Sequence, residues 1–175
     1  MFVGAYWAQR KESKESGAHR IATFLTAITD LSDELGAWYS KGRDRSAALR
    51  TPVEIEVESI ERKLNPNHRD ADRQPISDLG LRFSAWNGAN ASFSVTIGSW
   101  NKHVRNAAVL DLGDDDQQTA GFYRALLTEL VRAFEPDHAV VASHDDSART
   151  GATMPWEAGM FTYTRGGTVQ QHSMP

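Results

Sequence analysis

Two alternating runs on either side of Asn87-Gly88 constrain this chain more than any other feature. Leu81, Phe83 and Ala85 alternate with Arg82, Ser84 and Trp86, and Phe93, Val95 and Ile97 alternate with Ser92, Ser94 and Thr96. Successive side chains of a strand point to opposite faces, so a period of two reads as a strand with one buried face. Asn-Gly between two such runs reads as a hairpin turn, because both residues accept positive φ. A third strand, Ala107 to Leu112, follows a turn over 101–106. Connections this short make antiparallel neighbours. The small polar set on these strands marks one lightly covered face, so the other face must be buried under something else.

Two helical stripes supply that cover. After Ser13, a good helix cap with Glu15 in the first turn, apolar residues recur as Ala18, Ile21, Ala22, Leu25, Ile28 and Leu31. This predicts a helix ending near Gly36. Tyr123, Leu126, Leu127, Leu130 and Phe134 predict a second helix over Thr119–Glu135, stopped by Pro136-Asp137. Phe2–Trp7, Ala139–Ala142 and Met160–Thr164 read as further strands. Between them, Ala37–Ser40 reads as a short extended piece and Ser46–Arg50 as one helical turn. Thr51-Pro52-Val53-Glu54 has the form of a capping box and predicts a helix to Leu64, although Val53, Ile55 and Val57 also alternate with glutamates as in an edge strand. The polar stretch Asn65–Pro75 reads as a mobile loop. The expected fold is α+β, a mostly antiparallel sheet with two long helices packed on one face. Residues 1–164 are expected to form a single domain and residues 165–175 a frayed tail.

Composition narrows the function. A chain of 175 residues is long enough for one full core. It has no Cys, which excludes thiolate zinc sites and cysteine nucleophiles. No apolar run approaches the ~18 residues of a membrane span, and no basic-then-apolar leader is visible, so a cytoplasmic protein is expected. The net charge is −4 and falls unevenly. Residues 1–73 carry 12 Lys+Arg and 12 Asp+Glu, whereas residues 74–175 carry 7 and 11. Direct binding to nucleic acid is disfavoured, because such proteins show a basic excess. A basic protein partner is compatible.

A search for catalytic motifs finds none complete. There is no phosphate-cradling Gly-x-x-x-x-Gly-Lys, no Gly-x-Ser-x-Gly elbow and no His-Glu-x-x-His pair. Pro136-Asp137 resembles the first half of a metal-dependent nuclease signature, but no Glu-x-Lys follows it. His144-Asp145-Asp146 comes after a buried-looking strand, a common place for catalytic groups, and with His138 or His103 would make a crude metal constellation. The plainer reading is a polar strand exit. No catalytic residue, metal ligand or cofactor is therefore assigned, and a small hydrolase or metal enzyme using His144 and Asp145 is kept as the alternative. Asp114, Asp115 and Asp116 suit the start of the second helix, and they equally suit an acidic binding face. Of five tryptophans, Trp86, leading into Asn87 and the turn, is the best candidate for an exposed aromatic anchor.

The ordered set of motifs resembles a known family. Gly4-Ala5-Tyr6-Trp7 and Arg10-Lys11-Glu12-Ser13 open the match. Trp38-Tyr39-Ser40-Lys41-Gly42, Trp86-Asn87-Gly88, Val109-Leu110-Asp111-Leu112 and Val141-Ala142-Ser143-His144 continue it, and Gly159-Met160-Phe161-Thr162-Tyr163 closes it. Their order and spacing are similar to the immunity protein 52 family of bacterial polymorphic toxin systems. The resemblance implies a protein that neutralises a cognate toxin, often a nuclease of restriction-endonuclease fold delivered by routes that include type VI secretion. It carries over no binding residues. Residue by residue, the toxin-facing surface is expected to include Trp86, Asn87, Asp114, Asp115, Asp116, His144, Asp145 and Asp146. A homodimer pairing through an open sheet edge is a further expectation.

Overall fold

The computed structural model describes residues 1–40, 44–113, 118–143, 154, 157 and 159–172. Its strands are β1 (Phe2–Trp7), β2 (Tyr39–Ser40), β3 (Asn65–Pro66), β4 (Leu81–Trp86), β5 (Ser92–Ile97), β6 (Asn106–Asp111), β7 (His138–Ala142), β8 (Phe161–Thr164) and β9 (Gln170–Gln171). Its helices are α1 (Lys14–Thr29), α2 (Arg45–Leu49), α3 (Val57–Lys63) and α4 (Ala120–Phe134). The nine strands form one sheet in the order β2-β4-β5-β6-β1-β7-β8-β9, with β3 also on β4, and every pairing is antiparallel. The fold is α+β, as the alternation and the two stripes predict.

Register separates the two faces of the sheet. One face carries the row Ala85, Phe93, Leu110, Val3, Val141 and Phe161, all buried. On it lie α1 and α4. Phe93 is the hub: its ring centroid is 5.0 Å from Phe24 of α1, 6.3 Å from Phe134 of α4, 6.3 Å from Phe83 and 6.4 Å from Trp38. The opposite face carries Tyr39, Trp86, Ser92, Asp111, Phe2 and Ala142 in one row, and Arg82, Thr96, Ala107, Tyr6, His138 and Thr164 in another. At one corner of this face Arg45 of α2 reaches the Trp86 ring, and Val140 and Ala142 on it are buried. Gly4 on this face lacks a side chain for a reason: a Cβ would lie 2.6 Å from the phenolic oxygen of Tyr6, whose ring lies along the strand.

The helix ends follow their caps. Ser13 Oγ accepts from Ser16 N, and Thr119 Oγ1 from Phe122 N. Glu135 closes α4 in the left-handed region at φ 48°. Four local expectations are corrected. The first helix stops at Thr29 and continues only as a 3₁₀ turn over Asp33–Leu35, so Leu31 is exposed rather than part of the stripe. The helix expected from Pro52 begins at Val57, because Thr51 and Val53 are tied to Trp38 and Ser40 by backbone hydrogen bonds (Ser40 N to Thr51 O, 2.9 Å; Val53 N to Trp38 O, 2.8 Å). Tertiary pairing overrides the capping-box signal there. The 65–75 stretch is not a loose loop: it supplies β3, an Arg69–Pro75 bridge and paired backbone at Asp70 and Gln74. Gln170 and Gln171, within the segment expected to fray, add β9 to β8.

Candidate functional site

Trp86 and Asn87 sit at one end of the sheet in a turn that Asn87 organises. Its Oδ1 accepts from Ala89 N (3.0 Å) and Ala91 N (2.9 Å), and its Nδ2 donates to Glu34 O (3.1 Å). Trp86 is half-buried. Its Nε1 donates to Ala89 O at 2.9 Å, its ring centroid lies 6.5 Å from that of Tyr39, and the Arg45 guanidinium sits 5.7 Å from the ring. Arg45 also donates to Gly88 O. Trp86 is therefore engaged within the chain, with only part of its ring available to a partner.

The strand ends leading to the other expected residues meet at this same end. Trp86, Ser92, Asp111, Phe2 and Ala142 form one row across five strands. The Gly113 turn abuts Asn90, Asp111 Oδ1 caps Gly113 N at 2.9 Å, and the amino terminus donates to Gly113 O at 2.6 Å. The exposed Asp33 and Glu34 belong to the same end through the Asn87–Glu34 bond. Asp114, Asp115, Asp116, His144, Asp145 and Asp146 lie outside the described residues.

A second charged cluster joins the start of α1 to the end of α4. Glu12, whose side chain is 7% exposed, lies 2.6 Å from Arg10 Nε and 3.2 Å from Arg20 Nε through Oε1. Neither contact is aligned as a hydrogen bond, and Glu12 Oε2 is buried with no partner among the described residues. Arg20 reaches on to Ala133 O and to Glu135 Oε2, both at 2.8 Å, while Arg10 donates to Phe134 O at 2.8 Å and Arg165 to Glu135 O at 2.8 Å. Three guanidinium groups thus meet the carbonyls that end α4, where the helix dipole favours cations. Burial lowers the pKa of Arg10 against the opposing pull of Glu12, and the hydrogen bond from Arg20 lowers that of Glu135. Burial also pushes the Tyr6 phenol up to about 12.

These pairings set three cations against the carbonyls that end α4. Thr162 Oγ1 and His172 Nε2 lie 2.7 Å apart, but this hydroxyl–imidazole pair is exposed. No group of three or more His, Asp or Glu among the described residues could hold a metal ion.

The residue that sequence reading passed over is Trp100. It is 49% exposed, more than any other large hydrophobic residue described. It follows Gly98-Ser99, just where the alternation of β5 stops, and precedes the polar Asn101-Lys102-His103. A large aromatic outside any periodic stripe is the signal that could have found it.

The immunity protein 52 family model matches residues 1–165, nearly the full length of the chain. The chain belongs to that family. No curated protein matches it significantly. As an immunity protein it has a cognate toxin as its partner. In this immunity protein no helix among the described residues is long and apolar enough to cross a membrane.

Proposed function

We propose that this member of the immunity protein 52 family acts in the cytoplasm, within a polymorphic toxin system of the kind served by type VI secretion. It neutralises a nuclease toxin by stoichiometric binding, with no catalysis of its own. The observation that carries this reading is the family match over residues 1–165. The charge distribution supports the nuclease. A nuclease needs a basic cleft for phosphates, and an acidic inhibitor both attracts and occupies such a cleft. The acidic excess falls after residue 73. The proposed toxin-facing residues are Trp86, Asn87, Asp114, Asp115, Asp116, His144, Asp145 and Asp146.

A one-to-one complex is favoured over a homodimer built on a free sheet edge. The outermost strands β2 and β9 have two residues each, a common way of blunting an edge.

Titrating this protein against the purified toxin domain tests the proposal. DNA or RNA cleavage should fall linearly and vanish near equimolar ratio. Asp115→Lys combined with Asp116→Lys should slow association, most visibly at low salt. Cleavage that persists at a large molar excess of the protein contradicts the proposal.

A further inference from the structure

Trp100 is displayed by a loop that buries polar groups to hold its shape. Asp78 O accepts from Ser99 Oγ (3.1 Å), Trp100 N (3.1 Å) and Asn101 N (3.0 Å). Asn101 Nδ2 bonds the Asp78 carboxylate, and Asn101 Oδ1 accepts from His103 N. Ser99 and Asn106 are both fully buried. The side chain of Asn106 bridges Ser99 N, Ser99 O and Ala8 O. The backbone around Trp100 is thus fixed on every side while half of the ring stays in water. Trp7 and Trp38 fill the core at 2% exposure, and Trp86 is enclosed by Tyr39 and Arg45. Trp100 has one such contact, with Lys11, and is 49% exposed. A rigid, exposed tryptophan is the residue type that dominates protein interfaces, since little side-chain entropy is lost when it docks.

The surroundings define the partner's chemistry. Lys11 Nζ lies 5.7 Å from the Trp100 ring. The same loop contributes Lys102, Val104 and Arg105 to a groove of about 370 Å³, whose other walls are Tyr6, Trp7, Ala8, Gln9, Asp137 and His138. The one carboxylate in that wall, Asp137, is occupied: Oδ2 accepts from Ala8 N at 2.8 Å and Oδ1 pairs with Arg165 at 3.1 Å. Trp7 Nε1, on the wall, is buried with no acceptor among the described residues. Lys11 and Lys102 set two cations beside Trp100 in a chain whose net charge is −4, and the nearby Asp78 carboxylate is taken up by Asn101 Nδ2. The Trp100 loop stands at the opposite end of the strands from the Trp86 turn.

We infer that Trp100 and this groove form a second docking point, for an acidic segment of the cognate toxin, with Trp100 as the anchor and Lys11 and Lys102 as the charge complement. This rests on the toxin-binding reading and extends it. The interface is two-ended, the acidic end facing the toxin's basic cleft and the Trp100 end gripping an acidic surface outside that cleft. Strands of six residues separate the two ends by roughly 20 Å. That is a span an ordinary interface of about 800 Å² per partner covers.

Surface plasmon resonance with the immobilised toxin domain, made inactive by mutation, tests this. Trp100→Ala should dissociate at least about tenfold faster with a melting temperature within about 2 °C of wild type. Lys102→Glu should associate more slowly at low salt and differ little at high salt. Wild-type kinetics in both variants overturns this inference and leaves the toxin-binding reading intact. No binding by the wild type overturns both. Binding of a short fluorescein-labelled single-stranded DNA that Trp100→Ala abolishes also overturns it, by assigning the patch to nucleic acid.

Discussion

Asn106 holds Ser99 by both of its backbone groups. Asn106 Oδ1 accepts from Ser99 N at 2.8 Å, and Asn106 Nδ2 donates to Ser99 O at 3.0 Å and to Ala8 O at 2.9 Å. All the hydrogen-bonding capacity used is amide, and both residues are fully buried. Asn106→Asp keeps the shape but turns two donated bonds into a carboxylate facing carbonyl oxygens. It should cost about 3 kcal/mol at neutral pH. Because burial raises that carboxyl above its unfolded pKa, the folded state takes up a proton as pH falls, and part of the loss should return on acidification. Urea denaturation at two pH values measures it.

Gly80 supports the same loop from below. It has φ +76°, and a Cβ there would lie 2.6 Å from both Ile97 O and Ser99 N. These are backbone atoms, which cannot swing away. Gly80→Ala should therefore destabilise by about 3 kcal/mol, combining backbone strain with a clash. Gly166 has φ +81° with nothing within 4 Å. Gly166→Ala should meet only the strain, about 1 kcal/mol. Thermal melts of the two variants side by side separate the terms.

The contrast between these loops and the helices explains what was legible in the sequence. Ser13 and Thr119 cap α1 and α4 as their types suggest, since capping is a local interaction. The alternation of β4 and β5 fixes which side chains face the core, since period two is also local. Pro52 misleads because its neighbours Thr51 and Val53 pair with Ser40 and Trp38, a choice made by chain segments a dozen residues away. The tryptophans divide for the same reason. Trp86, at a turn, keeps part of its ring accessible beside Tyr39 and Arg45, while Trp100, outside any periodic stripe, is half exposed and Trp7 and Trp38 are core.

The face of the sheet opposite α1 and α4 carries a pH-sensitive group. Burial lifts the Tyr6 phenol from 10.0 to about 12. The neutral phenol is favoured in the folded state, so the contribution is fully present below pH 10. It is lost as pH rises from 10 to about 12, when the unfolded chain ionises first. Stability should fall over that window by roughly 2 kcal/mol, and the fall should be absent in Tyr6→Phe. Tyrosinate absorbance followed alongside denaturation checks the assignment.

The arginine cluster at the end of α4 should respond unequally to mutation. Glu12 is nearly buried, whereas the Glu135 side chain is 67% exposed. Arg20→Met leaves Glu12 with one cation and frees the Ala133 carbonyl, and should cost about 2–3 kcal/mol. Glu135→Gln disturbs a solvent-screened pair and should stay within about 1 kcal/mol. Equal losses would show that the exposed arm matters as much as the buried one.

The central claim is that this chain protects a cell by occupying its toxin. The direct measurement is growth of a host carrying an inducible copy of the toxin domain, with and without this protein expressed alongside it. The account predicts that induction alone arrests growth and degrades nucleic acid, that co-expression restores both, and that the pair purifies as an equimolar complex. Arrest and degradation undiminished by abundant, folded protein would contradict it.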